Sequence, residues 1–280
     1  MKIAKAITIL IFICTIVIWF YGKREMKKQD VVPPVITSTI DELHVDACKG
    51  IEETILKEGL SASDDVDGDI TEQIIVGDIS RFKENGVCDV KYVVFDSSNN
   101  VGLYERTIHF DNYESPKFQL SKALMYEVNG TVTITDRLTA TDMLEGNISG
   151  KMRYSFSNLT TTKEGTYRFK VEVKNSYGDS VTYQLPINMV SYSCDQEYIQ
   201  LKEYLIYVQK GEEVSPEDYI KTATNREGKA EGFENIKITR EVDITKSGTG
   251  QIRYELLEGN DVVYATYLTV IVTEQTRTER

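Results

Sequence analysis

The sequence predicts an all-β protein in which three tandem β-sandwich domains follow an N-terminal transmembrane helix. Two features carry this prediction: apolar and polar residues alternate through most of the chain, and a set of sequence markers recurs about every 80 residues. The chain of 280 residues is 41% hydrophobic and 27% charged, which is typical of a folded protein. A chain of this length holds one large domain or two to three of ordinary size.

The first predicted element is a membrane-spanning helix. Residues 3–21 read IAKAITILIFICTIVIWFY, which is about the length needed to cross a hydrocarbon core. Aromatic residues end this run, and the basic segment GKREMKK follows directly. A removed signal peptide is the competing interpretation, but no small-x-small cleavage site follows the run, and Cys14 lacks the small preceding residue of a lipoprotein signal. Residues 1–28 are therefore predicted to be an uncleaved anchor with a basic flank.

The orientation of this anchor depends on weaker signals. Basic residues lie on both sides of the apolar run, and a simple count of them would leave the body of the protein in the cytoplasm. Long domains translocate largely regardless of flanking charge, so this count has little weight. The composition and the placement of the cysteines favour an exported body. We therefore expect a single-pass protein of the cell membrane with its domains on the extracellular side.

The charge distribution excludes one class of partner. Lys and Arg total 32 against 44 Asp and Glu, which gives a net charge of −12. Residues 29–280 alone carry 26 basic and 43 acidic side chains, and a region that acidic is repelled by phosphate backbones. Nucleic acid is therefore not an expected partner.

The body of the chain repeats three times. SASDDVDGDIT at residues 61–71 aligns with TATDMLEGNIS at 139–149, and TATNREGKA at 222–230 is a shortened third copy. Glycine-led segments and Lys-Gly or Asn-Gly pairs recur in the same order at nearly the same spacing. The register predicts three domains, at residues 29–111, 112–191 and 192–280, the last of which ends in a short polar tail.

Each copy is predicted to consist of β-strands joined by polar turns. In the first copy Cys88, Val90, Tyr92 and Val94 recur with the period of a strand that has one buried face. The turns DSSNN, NSYGD and EGND follow the equivalent strands, and another alternating strand comes next, so each copy carries a hairpin. Several short strands without helical periodicity predict a two-sheet sandwich. Pro186 is predicted to lie on an edge strand.

The order of these markers resembles the bacterial surface immunoglobulin-like repeat, which is found in tandem on Gram-positive surface proteins and beside a pesticidal crystal toxin. The similarity extends over nearly everything after Lys28, and it is close in SDDVDGDIT and DSSNNVG of the first copy and in EGTYRFKVEV of the second. It is weak in the third copy, where Gly250 stands at the position of Tyr167. The resemblance implies immunoglobulin-like β-sandwich domains and an extracellular location, and it supplies no catalytic residue.

Four carboxylates crowd the turn of the first copy, at Asp64, Asp65, Asp67 and Asp69. Hard cations take oxygen ligands, so calcium is one interpretation. The other is a turn in which Asp64 accepts backbone N–H groups and Gly68 has a positive φ. The second copy retains fewer charges on the same frame and the third fewer still, which favours the turn. We therefore expect no metal ion or cofactor, with calcium at these four carboxylates as the alternative.

Two cysteines of the first copy, Cys48 and Cys88, fall at positions that the repeat register predicts to point inward. A disulfide between them would suit an oxidising, exported setting. The alternative is two separate buried thiols, which are common in protein cores. The disulfide is the favoured interpretation, and Cys194 is expected to be a lone thiol near the second domain junction.

Three functions remain open on this sequence. The first is a membrane-tethered surface protein whose domains act as a stalk or bind proteins or glycans of the envelope or of a host surface. The second is an accessory subunit that docks a cell-envelope enzyme or complex through a sandwich edge. The third is an enzyme, but scattered acidic residues and only two histidines, His44 and His109, give no catalytic pattern. We therefore expect a non-enzymatic protein that contacts the membrane through residues 3–21.

Overall fold

The structure is a computed structural model that describes residues 2–26 and 30–274. It divides into two compact units, residues 1–111 and residues 112–280. Strands make up the body of both units, so the predicted all-β fold class is confirmed.

The long helix α1 (Lys2–Met26) contains the apolar segment that the sequence assigns to the membrane. Among the residues described well enough to be searched, no helix combines the length and the apolar character that crossing a membrane requires. The predicted segment at residues 3–21 includes positions 3–6, 8 and 9, whose side chains lie outside the described part. The membrane anchor therefore stays a prediction.

The first repeat, in the unit of residues 1–111, arranges seven strands in two sheets. Its strands are β1 (Val35–Ser38), β2 (Glu42–Asp46), β3 (Leu60–Asp64), β4 (Gly68–Asp69), β5 (Ile75–Ile79), β6 (Val87–Phe95) and β7 (Val101–Asp111). One sheet has the order β1-β3-β4, and the hairpin sheet has the order β2-β7-β6-β5. A one-turn helix, α2 (Glu53–Leu56), lies between β2 and β3 in the chain.

The second repeat forms the same two sheets in the unit of residues 112–280. Its strands are β8 (Lys117–Leu120), β9 (Met125–Glu127), β10 (Leu138–Asp142), β11 (Gly146–Asn147), β12 (Arg153–Phe156), β13 (Gly165–Lys174) and β14 (Ser180–Val190). The sheet orders are β11-β10-β8 and β12-β13-β14-β9, which match those of the first repeat strand for strand.

The third repeat follows this plan with a reduced first sheet. Its strands are β15 (Ile199–Leu201), β16 (Leu205–Gln209), β17 (Ile220–Ala223), β18 (Ile236–Glu241), β19 (Gly248–Glu258) and β20 (Asp261–Thr273). The sheet orders are β15-β17 and β16-β20-β19-β18. Where the other repeats have β4 and β11, the third has a single bridge between Thr224 and Ala230, in keeping with its shortened turn sequence.

In every repeat an early strand runs parallel to the last strand. β2 pairs with β7, β9 with β14, and β16 with β20 in this way, whereas the two long hairpin strands of each repeat pair antiparallel. The shared connectivity supports an immunoglobulin-like sandwich that is repeated in tandem.

Alternate residues of the hairpin strands fill the cores, as the period of two predicts. Val90, Tyr92 and Val94 of β6 are fully buried, and Ile252 and Tyr254 of β19 are buried in the same phase. Each such side chain contributes to holding the two sheets together, since burying apolar area stabilises by about 25 cal/mol per Å².

The second and third repeats share one continuous apolar core. Polar contacts reinforce their boundary: Asn188 Nδ2 donates to Gln251 Oε1 at 2.9 Å, and the Tyr207 hydroxyl accepts the Phe118 N–H at 2.7 Å. Asn188 and Gln251 are both buried. These two repeats therefore pack as parts of one compact unit, while the exact domain limits stay predictions.

Pro186 lies in β14, which is a central strand of its sheet and not the predicted edge strand. The proline sits opposite Arg168 of β13, whereas the pairing of β14 with β9 begins only at Asn188. A residue without an N–H is tolerated here because it falls in the half of the strand that β9 does not reach.

Candidate functional site

The acidic turn of the first repeat connects β3 to β4. Asp64 ends β3, and its Oδ1 accepts the backbone N–H groups of Val66 and Asp67, both at 2.9 Å. Gly68 has a φ of 73°, a left-handed conformation that glycine adopts without the steric cost of a Cβ. These are the contacts of the predicted turn.

Two of the four carboxylates considered as calcium ligands are engaged by other protein groups. Asp67 accepts the N–H of Ser97 at 2.6 Å and its hydroxyl at 2.8 Å. Asp69 Oδ1 accepts the hydroxyl and the N–H of Thr71, and these hydrogen bonds lower the pKa of Asp69. Among the described residues, the carboxylates that converge at this turn include neither of the two. Of the four predicted carboxylates, the structure therefore brings together Asp64 and Asp65, and calcium at the full set stays an untested alternative.

A different set of three carboxylates does converge here. One oxygen each from Asp30, Asp64 and Asp65 lie within 4.8 Å of one another. Asp30 precedes β1, where its Oδ1 accepts the Val32 N–H at 2.9 Å and its backbone oxygen accepts the Asn100 side-chain amide at 3.2 Å. The Oδ2 atoms of Asp30 and Asp64 are buried and receive no hydrogen bond. Sequence analysis does not single out Asp30, because this residue lies outside the repeated markers.

The second repeat has the same turn but satisfies its aspartate with protein donors. Asp142 Oδ1 accepts two backbone N–H groups, as Asp64 does in the first repeat. Its Oδ2 accepts the Tyr113 hydroxyl at 3.1 Å and the Asn175 side-chain amide at 3.0 Å. Burial, followed by the charges of Asp142 and Asp179, raises the pKa of Tyr113, so its hydroxyl stays protonated. In the second repeat, both carboxylate oxygens of Asp142 therefore accept hydrogen bonds from protein groups.

The third repeat carries an amide at this position. Asn225 Oδ1 accepts the backbone N–H groups of Glu227 and Lys229 at 3.0 and 3.1 Å. Within residues 30–274, converging carboxylates at this turn occur in the first repeat alone.

Cys48 and Cys88, which the sequence predicts to form a disulfide, differ in burial, and the bridge between them stays a prediction. Cys88 is a fully buried thiol of β6, and burial, with a contribution from Asp89, raises its pKa to about 11. Cys48 is exposed on a 3-10 turn in which Ala47 takes the inward position. The turn is capped by Asp46, whose Oδ1 accepts the Cys48 N–H at 3.0 Å. This local turn, which the repeat register did not anticipate, directs the Cys48 side chain outward.

Cys194, the predicted lone thiol, is half-buried near the boundary of the second and third repeats. Burial, followed by the charge of Glu127, raises its pKa to about 11. Its backbone N–H donates to Glu127 at 2.7 Å. A thiol with a raised pKa is a poor nucleophile near neutral pH, in keeping with a structural position.

The two histidines of the chain meet on the first repeat. His44 of β2 lies opposite His109 of β7, and their rings stack with centroids 4.7 Å apart. Glu42 offers an oxygen to the same cluster, and Asp111 lies 3.0 Å from His44 Nδ1. Imidazole and carboxylate are ligand types that zinc accepts. The parallel register of β2 and β7 creates this pair, and the sequence could have revealed it only once that register was known.

Exposed apolar side chains mark two strands of the hairpin sheets. The edge strand β12 is exposed along its whole length and presents Tyr154 and Phe156, whose rings meet edge-on at 6.0 Å. In the first repeat Leu103 of β7 is 73% exposed. An edge strand offers backbone N–H and C=O groups with which an extended chain can pair.

Comparison with known proteins finds no matching family model. A region of 127 residues, 42% of this chain, is 32% identical to the pesticidal crystal protein Cry22Aa of Bacillus thuringiensis, and it covers 17% of that protein. The chain thus spans a small part of this relative, whose activity as a whole cannot be transferred to it.

Two solved structures show weaker similarity. One contains the CBM51-2 domain, in complex with GlcNAc, and INT domains of Clostridium perfringens ZmpB, with 15% identity, a TM-score of 0.23, and coverage of 55% of this chain and 27% of that one. The other is Drosophila N-cadherin EC1-3, with 11% identity, a TM-score of 0.29, and coverage of 86% and 99%. Similarity at this level supports no conclusion about function.

Proposed function

We propose that this chain is a membrane-anchored bacterial cell-surface protein whose immunoglobulin-like domains serve as a stalk, as an adhesion module, or as both. The observation that carries the proposal is the tandem β architecture, in which one strand plan recurs and two repeats share a core. Folded repeats of this kind can act as a spacer. Each repeat also exposes turns and sheet edges to which a ligand can bind.

The proposed location depends on the N-terminal segment and on the family resemblance. Residues 3–21 form an apolar run inside α1, and a basic flank follows them. The resemblance to bacterial surface repeats favours an extracellular body. In this proposal the protein is non-enzymatic, and its ligands are proteins or glycans of the envelope or of a host surface.

Protease accessibility on intact cells tests the location. We expect externally added protease to digest residues 30–274 on whole cells, while a cytoplasmic control protein survives. Alkaline carbonate should leave the full chain in the membrane fraction. Protection from protease until the cells are lysed, or release of the full chain by carbonate, would contradict the proposal.

A binding screen tests the adhesion half of the proposal. The full chain in detergent is presented to cell-envelope fractions, a glycan panel and matrix proteins. Saturable binding that survives moderate salt would make the domains an adhesion module. A folded sample that binds none of these would leave the stalk as the function of the repeats.

A second candidate function is an accessory subunit that docks an envelope enzyme. The observation that favours it is the edge strand β12, whose Tyr154 and Phe156 are exposed beside unpaired backbone groups. The occupant would be an extended segment of the partner that adds a strand to the sheet.

Gentle detergent extraction distinguishes this candidate. A stable partner should co-purify with the full chain and be lost with Phe156→Lys, which places a charge on the edge. Leu103→Lys changes a more exposed apolar side chain in the first repeat, 73% exposed against 39% for Phe156, and should keep the partner. Equal retention by both variants would argue against docking through β12.

A further inference from the structure

The three carboxylates at the β3–β4 turn have the spacing of cation ligands. Calcium binds oxygen at about 2.3–2.6 Å, so two ligand oxygens on opposite sides of one ion are about 5 Å apart. The oxygens of Asp30, Asp64 and Asp65 all lie within 4.8 Å of one another, which fits around a single ion.

The Asp64 side chain points to a ligand independently of this spacing. Its residue is only 9% exposed, and its Oδ2 is buried without a hydrogen-bond donor. Asp30 as a residue is half-buried, and its Oδ2 atom is likewise buried without a hydrogen-bond donor. Burying an ionised carboxylate oxygen without a partner is costly, and none of the ion pairs formed among the described residues involves Asp30, Asp64 or Asp65.

The second repeat shows which hydrogen bonds satisfy the Oδ2 atom at this position of the turn. At the equivalent position Asp142 Oδ2 accepts two hydrogen bonds, from the Tyr113 hydroxyl and the Asn175 amide. In the first repeat the turn is the same, but Asp64 Oδ2 receives no hydrogen bond and the carboxyl groups of Asp30 and Asp65 lie close to that of Asp64. A positive charge is the partner that satisfies several carboxylate oxygens at one point.

Two of the three ligands, Asp30 and Asp64, are held in place by backbone hydrogen bonds. Asp30 Oδ1 accepts the Val32 N–H, and Asp64 Oδ1 accepts two N–H groups of its own turn. Each of these two side chains therefore has one oxygen fixed by the backbone and the other available to the site. Asp65 is exposed, so solvent can supply the ion and complete its coordination with water.

We propose that the first repeat binds one calcium ion through Asp30, Asp64 and Asp65. Calcium accepts irregular sets of six to eight oxygens, whereas magnesium requires near-ideal octahedral geometry, so an asymmetric site of three carboxylates and water suits calcium. The ion joins the segment before β1 to the β3–β4 turn and so braces the start of the repeat. This site does not depend on the adhesion function proposed above.

Isothermal titration of the full chain in detergent with calcium chloride, after removal of metal with a chelator, tests the proposal. We expect one site with a dissociation constant of about 0.1–1 mM, the range of extracellular modules. Magnesium should bind more weakly. Absence of calcium binding up to about 10 mM, or tighter binding of magnesium, would overturn the assignment.

Matched variants locate the site. Asp65→Asn removes a charge from an exposed side chain, and Asp30→Asn removes one from the segment before β1; each should weaken calcium binding about tenfold or more, since affinity follows ligand charge. Asp78→Asn removes an exposed charge from β5 of the same repeat and should leave the affinity unchanged. Circular dichroism melts in chelator verify that each variant is folded. Unchanged affinity in both ligand variants would refute the site.

Hydrogen exchange provides a second readout. Calcium should slow amide exchange in residues 30–38 and 60–71 and leave the second repeat's turn at residues 138–149 unaffected. Protection that appears only in the second repeat, or equally in both turns, would contradict a site made by Asp30, Asp64 and Asp65.

Discussion

The first and second repeats have an aspartate at the same position of the same turn, Asp64 and Asp142, but the surroundings of the Oδ2 atom differ between them. In the second repeat Asp142 Oδ2 accepts hydrogen bonds from Tyr113 and Asn175, whereas in the first Asp64 Oδ2 is buried without a donor. The Oδ1 atom of each aspartate accepts two backbone N–H groups in both repeats. Forming the turn and attracting a cation are thus separable properties of a single side chain.

The hairpin turn explains why the first repeat lacks one of the two donors, the amide of Asn175. Asn175 and Asp96 both follow a long hairpin strand, and each accepts the backbone N–H of the residue four positions later. An asparagine also donates from its amide, whereas an ionised aspartate only accepts. The change from amide to carboxylate removes a donor from the first repeat and adds a negative charge near its turn.

The largest effect that this comparison predicts comes from deleting the aspartate in each repeat. Asp142→Ala loses four hydrogen bonds and should lower the free energy of unfolding of its unit by about 3 kcal/mol. Asp64→Ala in chelator loses two hydrogen bonds and removes an unsatisfied oxygen, so its cost should be about 1 kcal/mol. Urea denaturation followed by peptide-resolved hydrogen exchange measures both. Equal losses of unfolding free energy in the two variants would contradict this difference between the repeats.

Removing one donor from the second repeat should have an intermediate effect. Tyr113→Phe takes away the hydroxyl that donates to Asp142 and accepts from Asn175, which should cost about 1–2 kcal/mol in the free energy of unfolding. Tyr104→Phe in the first repeat serves as the control and should cost less than about 0.5 kcal/mol. The same denaturation experiment measures both, and similar losses for the two variants would show that the Tyr113 hydroxyl is not part of a stabilising network.

Exchanging the hairpin residues should make the first repeat resemble the second. The double variant Asp96→Asn, Asn100→Asp copies Asn175 and Asp179 and leaves the net charge unchanged. We expect the new amide to approach Asp64, to raise the stability of the first repeat in chelator by about 1 kcal/mol, and to weaken calcium binding. Thermal melts with and without calcium measure both quantities. A variant that is less stable in chelator and still binds calcium fully would contradict this account of the difference.

The smallest predicted effect concerns pH. Burial raises the pKa of Glu145, but hydrogen bonds from Lys151 and from Ser176 outweigh it and bring the pKa below its ordinary value of 4.5. A lowered pKa in the folded state means that this carboxylate stabilises the protein above pH 4.5 and that the contribution is lost as the pH falls further. The first repeat has Gln73 at the position of Lys151.

Lys151→Gln therefore copies the first repeat and should bring the pKa of Glu145 upward, with a shallower loss of stability in acid. Side-chain carboxyl NMR between pH 3 and 6 measures this directly. Lys174→Gln, at the exposed end of β13 just before Ser176, should not change it. A Glu145 pKa that stays the same in Lys151→Gln would assign the effect to Ser176 alone.

The strands and turns could be predicted from sequence because their signals are local. Val90, Tyr92 and Val94 alternate within one strand, and the turn frame is a contiguous run that ends at Gly68. Each of these patterns reports on neighbouring residues. The exposed position of Cys48 was missed because alignment with another repeat does not reveal a turn that belongs to this repeat alone.

The candidate site could not be predicted because it depends on contacts between distant parts of the chain. Asp30 reaches Asp64 only after the segment before β1 has packed against the β3–β4 turn. Asp67 and Asp69 looked equivalent to Asp64 and Asp65 in sequence, yet Ser97 and Thr71 engage them in the fold. The sequence identifies an acidic turn, but only the hydrogen bonds of the folded chain show which carboxylate oxygens have no protein donor and can bind a cation.

The parallel pairing of an early and a late strand in each repeat has a mechanical consequence. β1 precedes β2 and pairs with β3, so a pull on the two ends of the first repeat reaches β2 once β1 has separated. Because β2 runs parallel to β7, the pull then loads their pairing from Glu42 to Asp46 in shear, and its hydrogen bonds are strained together and not one by one. Shearing a whole row at once requires more force than peeling the same bonds in succession. The same parallel pairing recurs in the second and third repeats, so each repeat would resist extension at this pair of strands.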